Sequence, residues 1–173
     1  MALIYMRLAQ MEDLDAIWTI IQEAKQLLAS ENSPQWQDGY PTKAKMEADI
    51  TAGVAHVLIV DGEIAGTASV IIGNEPTYDV IHDGEWAEPF ADYATIHRIA
   101  IASGHRGQHL AKFFFSNIIS ELYLRGIHNV RLDTHRINKA MQHLATEFGF
   151  TKRGIIMIDH GEDRERFAYE LNM

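Results

Sequence analysis

The chain has 173 residues, of which 47% are hydrophobic and 23% charged, so it is long enough for one buried core and too short for two ordinary domains. Its 15 basic and 24 acidic residues give a formal charge of -9, which argues against nucleic acid as a partner because phosphate binding needs a basic face. The chain has no cysteine, and no apolar run approaches the about 20 residues of a membrane span. The N-terminus lacks the pattern of a signal peptide, so we expect a cytoplasmic protein without a membrane partner, with residues 1–173 in one domain.

The first third of the chain predicts a strand followed by two helices. Residues 3–8 form a short strand, and residues 11–32 carry apolar side chains at i, i+3, i+4 and i+7, the pattern of an amphipathic helix. Residues 31–42 contain prolines and a glycine and therefore form a loop. Trp36 and Tyr40 in this loop either line a substrate site or plug the core. A short helix, with Met46 and Ile50 facing inward, follows Thr42.

The next segment predicts a hairpin and a long acidic loop. Residues 54–60 and 63–72 are apolar runs joined by Asp61 and Gly62, which is the clearest hairpin signal in the chain. Residues 73–93 are rich in acidic side chains and contain neither lysine nor arginine. An acidic rim favours an amine over an acid as ligand, whereas a solvated loop anchored by Trp86 and Phe90 is the alternative.

Residues 94–112 are the segment around which the rest of the chain is organised. An apolar strand over 94–101 ends near Ser103, and a helix is predicted from about Gly107 to Arg125, with Arg106, Gly107 and Gln108 in its first turn. The first amides of a helix have no internal acceptors and favour anions. Arg106 adds a planar fork of donors, and Gly107 lets oxygen atoms approach the backbone. The segment therefore predicts a pyrophosphate-binding loop.

The last third predicts a strand over 129–136, a helix that Asn138 begins and Gly149 ends, and a hairpin formed by 151–159 and 164–172. Strands and helices thus alternate along most of the chain. This order predicts an α/β domain with a central mixed, mostly antiparallel, twisted sheet of about seven strands and helices on both faces.

The loop after the central strand reads Arg106, Gly107, Gln108, His109, Leu110, Ala111. This spacing resembles the acyl-CoA signature of the GNAT family of N-acetyltransferases. Arg106 and Ala111 fit the first and last positions of that signature, whereas His109 stands where a glycine is expected. The likeness extends over nearly the whole chain, and it is strongest to an unassigned GNAT group whose strands read HRIA and DTH.

The resemblance implies an N-acetyltransferase that moves an acetyl group from acetyl-CoA to a primary amine of a small molecule or peptide, by direct attack in a ternary complex. It implies that the backbone of Ile99, Ala100 and Ile101 pairs with the pantetheine arm and supplies a donor to the oxyanion. It also implies that loop 106–111 binds the pyrophosphate and that Asn138 and Met141 border the pantetheine. A homodimer is a further expectation. The candidate acceptor-binding residues are Trp36, Tyr40 and Trp86.

An alkyl ammonium has a pKa of about 10.4, so a base must remove its proton near neutral pH. His97 is the first candidate because imidazole titrates near neutrality, and Asp133 and His135 come next. Strand alternation predicts that His97 shares a face with Thr95, Ile99 and Ile101. The alternative for His97 is a hydrogen-bonded structural histidine.

The general acid is open, because Ala145 stands where many GNAT enzymes have a tyrosine. His143, Tyr169 or solvent would then protonate the leaving thiolate. A non-catalytic acyl-CoA sensor and a protein acetyltransferase remain alternatives. His105 and His109 are spaced i, i+4, but no glutamate follows the first and no third ligand is evident, so no metal is expected.

Overall fold

Seven strands form one mixed sheet in the computed structural model, which describes residues 1–173. The strands are β1 (Ile4–Leu8), β2 (Ala55–Val60), β3 (Glu63–Ile72), β4 (Ala94–Ile101), β5 (Asn129–Thr134), β6 (Thr151–Met157) and β7 (Glu165–Asn172). The helices are α1 (Leu14–Ser30), α2 (Lys43–Thr51), α3 (Leu110–Leu124) and α4 (Lys139–Glu147). The sheet order is β1-β2-β3-β4-β5-β7-β6, and only β4 and β5 are parallel. The predicted fold class is confirmed.

The helices cover both faces of the sheet. The aromatic and aliphatic side chains of α3 pack with β2, β3, β4 and β5 in the larger core, which includes Phe114 and Phe115. Helices α1 and α2 pack on the opposite face against alternate residues of β2. Side chains of successive strand residues point to opposite faces, so each apolar strand supplies both cores. No helix is long and apolar enough to cross a membrane.

The hairpin between β2 and β3 turns at the predicted residues. Asp61 has a φ of 49° and Gly62 a φ of 90°. Two successive positive φ angles give a turn whose twist matches that of the flanking strands, and they are tolerated by aspartate and glycine.

The long acidic loop is ordered against the sheet. Residues of the loop and of β6 and β7 form a third core, which contains Tyr78, Trp86 and Tyr93. His82 and Ile155 exchange backbone hydrogen bonds of 2.8 Å, which tie the loop to β6. Packing by buried aromatic side chains therefore positions the acidic residues of this loop, although Phe90 itself is 99% exposed.

Strand β4 contains a β-bulge at Arg98. Ala100 pairs with Thr67 and His97 with Ser69, so β4 has one more residue than β3 in this interval, and Arg98 has a φ of 51°. The extra residue reverses the alternation of side chains. Ile99 and Ile101 pack with the larger core and do not share a face with His97. The predicted common face is therefore wrong, because a bulge is not visible in an apolar pattern.

Strands β4 and β5 separate soon after they meet. Only Ala94 and Thr95 of β4 pair with β5, although β4 continues to Ile101. The amide of Ala102 donates to the Ala65 carbonyl in β3. Because the backbone groups of successive strand residues point to opposite edges of the strand, those of Ile99 and Ile101 point toward the gap between β4 and β5. The separation leaves an unpaired strand edge, which is available to an extended ligand.

Candidate active site

Two cavities lie at the separation of β4 and β5. The small cavity, of about 270 Å³, is formed mainly by loop 31–42, the start of the acidic loop, β4 and the β6–β7 hairpin. The large groove, of about 420 Å³, is formed mainly by α1, the end of β4, α3 and α4. Both cavities are lined by Gln35, Trp36, Ile96 and Asp133. A ligand in the large groove can thus meet a ligand in the small cavity at these residues.

The large groove is mostly apolar and contains the free edge of β4. Ile99, Ala100 and Ile101 line it, as do Asn138 and Met141. Asn138 is the N-cap of α4, and its Oδ1 accepts a hydrogen bond of 3.1 Å from the Met141 amide. The predicted pantetheine-contacting residues therefore lie together along one groove.

Arg106 lies where the groove meets the start of α3. Its Nε donates to the Ile101 carbonyl at 3.4 Å, while its Nη2 is buried without a hydrogen-bond partner. A buried unpaired donor is costly, so an anion that accepted from it would be stabilised. Ala111 and His109 also line this end of the groove. Helix α3 begins at Leu110, which leaves its first amides without intrahelical acceptors.

Helix α3 begins later than the sequence predicts. Arg106 is extended, Gly107 has a φ of 78° and His109 a φ of 57°, so these residues form a loop before the helix. The left-handed angle at His109 explains why a glycine would be favoured at this position. Gly107 and Gln108 are exposed and do not line the groove, and Leu110 is buried in the larger core.

In the small cavity, His97 faces a carboxylate from the acidic loop. Its Nε2 lies 3.1 Å from Oε2 of Glu75, and both side chains are partly exposed. Thr77 donates from its backbone amide and its hydroxyl to Oε1 of the same carboxylate. The hydrogen bond from His97 is the main cause that holds the pKa of Glu75 at about 2, against the opposing effect of burial.

Asp133 projects from β5 to the meeting point of the two cavities. Its Oδ2 accepts a hydrogen bond of 2.7 Å from the Tyr78 hydroxyl. Burial raises the pKa of Tyr78 well above its ordinary value, and the neighbouring carboxylate adds to this effect. Tyr78 therefore remains a neutral donor, and Asp133 has a neutral partner rather than a cationic one.

A buried ion pair supports the wall of the small cavity. Arg98, whose backbone forms the bulge, donates from Nε to Oδ2 of Asp49 at 2.8 Å. Ser69 donates to the same oxygen at 2.7 Å, and Nη1 of Arg98 donates to the Tyr40 hydroxyl. Asp49 and Arg98 are 3% and 7% exposed. This network holds Tyr40 and the loop that carries it over the cavity.

Comparison with known proteins identifies the family of the chain. The acetyltransferase (GNAT) family model matches residues 21–150, three quarters of the chain. The chain is 37% identical to a GNAT family acetyltransferase from Streptococcus agalactiae, with a TM-score of 0.89 over 98% of this chain and 95% of that one. The chain belongs to the GNAT family of acetyltransferases. As a member of that family it is an acetyl-CoA-dependent N-acetyltransferase.

Other solved structures share the GNAT fold. A putative acetyltransferase from Staphylococcus aureus is 28% identical, with a TM-score of 0.70 over 96% of this chain and 97% of that one. A ribosomal L7/L12 alpha-N-protein acetyltransferase in complex with coenzyme A is 16% identical, with a TM-score of 0.70 over 98% of this chain and 94% of that one. The second likeness shows the fold alone. No curated protein matches the sequence significantly.

Several predicted site residues lie outside both cavities of this GNAT protein. His135 is fully buried, and its Nε2 lies 2.9 Å from Oδ2 of Asp163 in the β6–β7 hairpin, so it links that hairpin to β5. Trp86, a residue of the acidic loop, is buried in the third core, and the Arg131 guanidinium lies 4.1 Å from its ring centre. The structure therefore does not support a catalytic role for His135 or an acceptor-binding role for Trp86. Trp36 and Tyr40 do line the small cavity.

The candidate acids differ in their access to the groove. Ala145, at the position where many GNAT enzymes have a tyrosine, is completely buried. Tyr169 is buried in the larger core and lines neither cavity. His143 does line the large groove, and its Nε2 lies 3.6 Å from a carboxylate oxygen of Glu147. His143 and solvent are thus the candidates with access to a ligand.

The sequence pattern did not single out several polar residues of the small cavity and its wall, among them Glu75, Asp49, Arg98 and Arg166. Glu75 was one of several acidic residues in a loop without periodicity, and no sequence signal separates it from the others. A charged residue within an apolar strand, as at Arg98, is the signal that would have indicated a buried ion pair.

No group of three potential metal-ligating side chains lies close enough together to hold a metal ion. His105, one of the two histidines spaced i, i+4, lies with its Nε2 3.5 Å from a carboxylate oxygen of Glu63 instead. The described side chains therefore present no candidate metal site.

Replacing Arg106 by alanine is expected to weaken acetyl-CoA binding about tenfold or more, because the variant loses a charged donor at the start of α3. Calorimetric titration with acetyl-CoA measures the change. Arg125→Ala is the matched control, since Arg125 lies at the far end of α3 and pairs with Glu121 on the surface. Equal dissociation constants for the two variants would mean that Arg106 does not bind the pyrophosphate.

Proposed function

We propose that this GNAT protein acetylates the primary amine of a small molecule by direct attack in a ternary complex, with acetyl-CoA in the large groove and the acceptor in the small cavity. The observation that carries this proposal is the meeting of the two cavities at Asp133, beside the free edge of β4. Both ligands can bind at once and react without a covalent enzyme intermediate.

The residues of the large groove fit the donor. Bound acetyl-CoA supplies a thioester as the activated acetyl group. The unpaired backbone of Ile99 and Ile101 can pair with an extended amide-containing chain, and Arg106 with the first amides of α3 can bind its phosphates. An amide on the free edge of β4 can also donate a hydrogen bond to the thioester oxygen within this mostly apolar groove.

His97 is the proposed general base. It faces the small cavity, and Glu75 accepts from its ring, so the imidazolium that forms on proton uptake is stabilised by an ionised carboxylate. Glu75 also fixes the orientation of the His97 ring, since Thr77 holds the other carboxylate oxygen of Glu75. Because Nε2 donates to Glu75, Nδ1 is the ring nitrogen that takes a proton from the ammonium of the acceptor, which leaves the nucleophilic amine.

Asp133 is proposed to hold the amine at the meeting point. It is the carboxylate that lines both cavities, and Tyr78 fixes its orientation. A carboxylate attracts an ammonium and directs it toward the groove before the proton is lost. His143 or solvent then protonates the leaving thiolate, a tolerable leaving group since an ordinary thiol has a pKa of about 8.5.

Initial rates with free amines test the proposed function. Release of coenzyme A from acetyl-CoA is measured while both substrates are varied. Intersecting double-reciprocal lines are expected for a ternary complex, whereas parallel lines would indicate a covalent acetyl-enzyme. Binding of acetyl-CoA without release of coenzyme A in the presence of any amine would favour a non-catalytic sensor. Acetylation of protein alone would favour a protein acetyltransferase.

The low pKa of Glu75 predicts a pH effect on stability. A carboxylate with a folded-state pKa lowered from 4.5 to about 2 stabilises the fold above about pH 4.5, and this contribution is lost as the pH falls toward 2. Urea unfolding is expected to show a larger loss of stability between pH 6 and pH 3 for the wild type than for Glu75→Gln. Glu162→Gln, at an exposed turn, is the control and should behave as the wild type does. Parallel losses in all three proteins would contradict the assignment.

Two expectations from the sequence stay predictions. We propose a homodimer, which sedimentation equilibrium would measure, and a location in the cytoplasm, which cell fractionation would measure.

A further inference from the structure

The charged groups of the small cavity are mostly paired with each other. Glu75 is paired with His97, and Lys45 and Arg98 both lie near Asp49, at 3.3 and 2.8 Å. His160 lies 2.6 Å from a carboxylate oxygen of Asp38. Asp159 is on the exposed rim. Two charged groups inside the cavity, Asp133 and Arg166, have no oppositely charged side chain within 4 Å.

Arg166 is a buried guanidinium with no carboxylate within 4 Å. It projects from β7 into the small cavity and is 6% exposed. Its Nη1 donates to the backbone carbonyls of Asp163 and Glu165 at 2.7 and 2.8 Å, which fixes the plane of the group. Its Nε and Nη2 make no hydrogen bond within the protein. Burial lowers the pKa of Arg166 from its ordinary value, with Asp133 the strongest opposing influence.

A buried charge without a counter-ion is costly, and a fixed guanidinium edge matches a carboxylate or phosphate. Because an amine must lie near Asp133 and His97 to react, the cavity presents a site for a cation beside a site for an anion. Its volume of about 270 Å³ is slightly below the about 300–1,000 Å³ of sites for drug-sized ligands, so one small molecule that carries both groups would fit it.

We propose that the acceptor is an aminocarboxylate such as a free amino acid, whose carboxylate binds the Nε and Nη2 edge of Arg166 while its amine faces Asp133 and His97. This inference rests on the proposed acetyl transfer to a small amine and adds the chemical class of the acceptor. The carboxylate is the counter-ion that Arg166 lacks, and the ammonium is the counter-ion that Asp133 lacks. An amine without an anionic group, such as a polyamine, leaves Arg166 unpaired and is therefore discriminated against.

Binding to the complex of the protein with coenzyme A tests the inference without turnover. Amino acids whose amine is α, β or γ to the carboxylate are titrated calorimetrically into this complex. Each is compared with the corresponding carboxamide, which keeps the amine but lacks the negative charge. We expect at least one amino acid to bind at least tenfold more tightly than its amide. Equal or tighter binding of the amides, or no binding by any amino acid, would overturn the proposal.

Variants of Arg166 assign the discrimination to this side chain. Arg166→Gln should remove the preference for the carboxylate, Arg166→Lys should restore part of it, and both should keep the affinity for coenzyme A because Arg166 does not line the large groove. Arg164→Gln, in the same hairpin and exposed, is the matched control and should keep the full preference. A preference that survives in both Arg166 variants would refute the role of Arg166. Acetylation of amines without this preference would refute the acceptor class and leave the proposed acetyl transfer intact.

Discussion

The His97→Ala variant is expected to lose activity by about 10²- to 10⁴-fold in kcat, the usual contribution of a positioned general base. His97 lines the small cavity and does not line the large groove, so acetyl-CoA binding should change little. Stopped assays of coenzyme A release measure kcat, and calorimetry measures the affinity for acetyl-CoA. At high pH the defect should become smaller, because a larger share of the amine is then already neutral.

Two further variants separate the role of His97 from general disturbance of the fold. Glu75→Gln keeps the ring hydrogen-bonded but removes the charge that stabilises the imidazolium, so it should lower kcat by a smaller factor than His97→Ala. His128→Ala is the control, because His128 packs against Tyr123 far from both cavities. If His97→Ala keeps kcat within about threefold of the wild type, the base lies elsewhere, and Asp133→Asn is the next variant to measure.

The Asp49→Ala variant is expected to lose about 3–5 kcal/mol of stability, because it leaves the Arg98 guanidinium buried without its counter-charge. The pair is almost completely buried, and Ser69 and Lys45 converge on the same carboxylate. For a chain of this length the loss corresponds to a fall in Tm on the order of 10 °C. Urea unfolding and a thermal melt measure the two quantities.

Asp15→Ala is the matched control for this stability measurement. Asp15 forms an ion pair with Lys43 between α1 and α2, but its side chain is 88% exposed. Exposed pairs contribute about 0–1 kcal/mol, so this variant should melt close to the wild type. A loss for Asp49→Ala as small as that for Asp15→Ala would mean that water or a neighbouring group replaces the missing charge at Arg98.

Local pattern was sufficient for much of the fold. The turn at Asp61 and Gly62, the N-cap at Asn138 and the inward-facing Met46 and Ile50 of α2 depend on short-range geometry and on periodicity, and each is present in the structure. The groove residues near the end of β4 and at Asn138 also lie together as expected. The order of elements along the chain, together with the sheet topology that the resemblance to GNAT proteins implies, predicts these positions.

Other features depend on contacts between distant segments. The bulge at Arg98 accompanies a contact of its side chain with Asp49 in α2, a contact that no local pattern of β4 contains. Loop 73–93 has no periodicity, so only its packing on β6 and β7 decides that Glu75 faces His97 while Trp86 is buried. Asp133 lies in β5 and His135 follows directly after this strand, yet the β6–β7 hairpin buries His135 beneath Asp163 and leaves Asp133 at the junction of the cavities.

Charge pairing shows the same division between local pattern and tertiary structure. The acidic residues of loop 73–93 favour an amine as ligand, but a count of acidic residues in a sequence gives each of them equal weight. Salt screens the interaction of exposed charges beyond about 10 Å, so a ligand responds mainly to the nearby groups that line its cavity and lack partners there. The folded chain neutralises most of those groups and leaves Asp133 and Arg166, one of each sign. The sequence determined the family and the donor, whereas the tertiary structure decided which charges in the small cavity stay unpaired, because pairing depends on distances that only the fold sets.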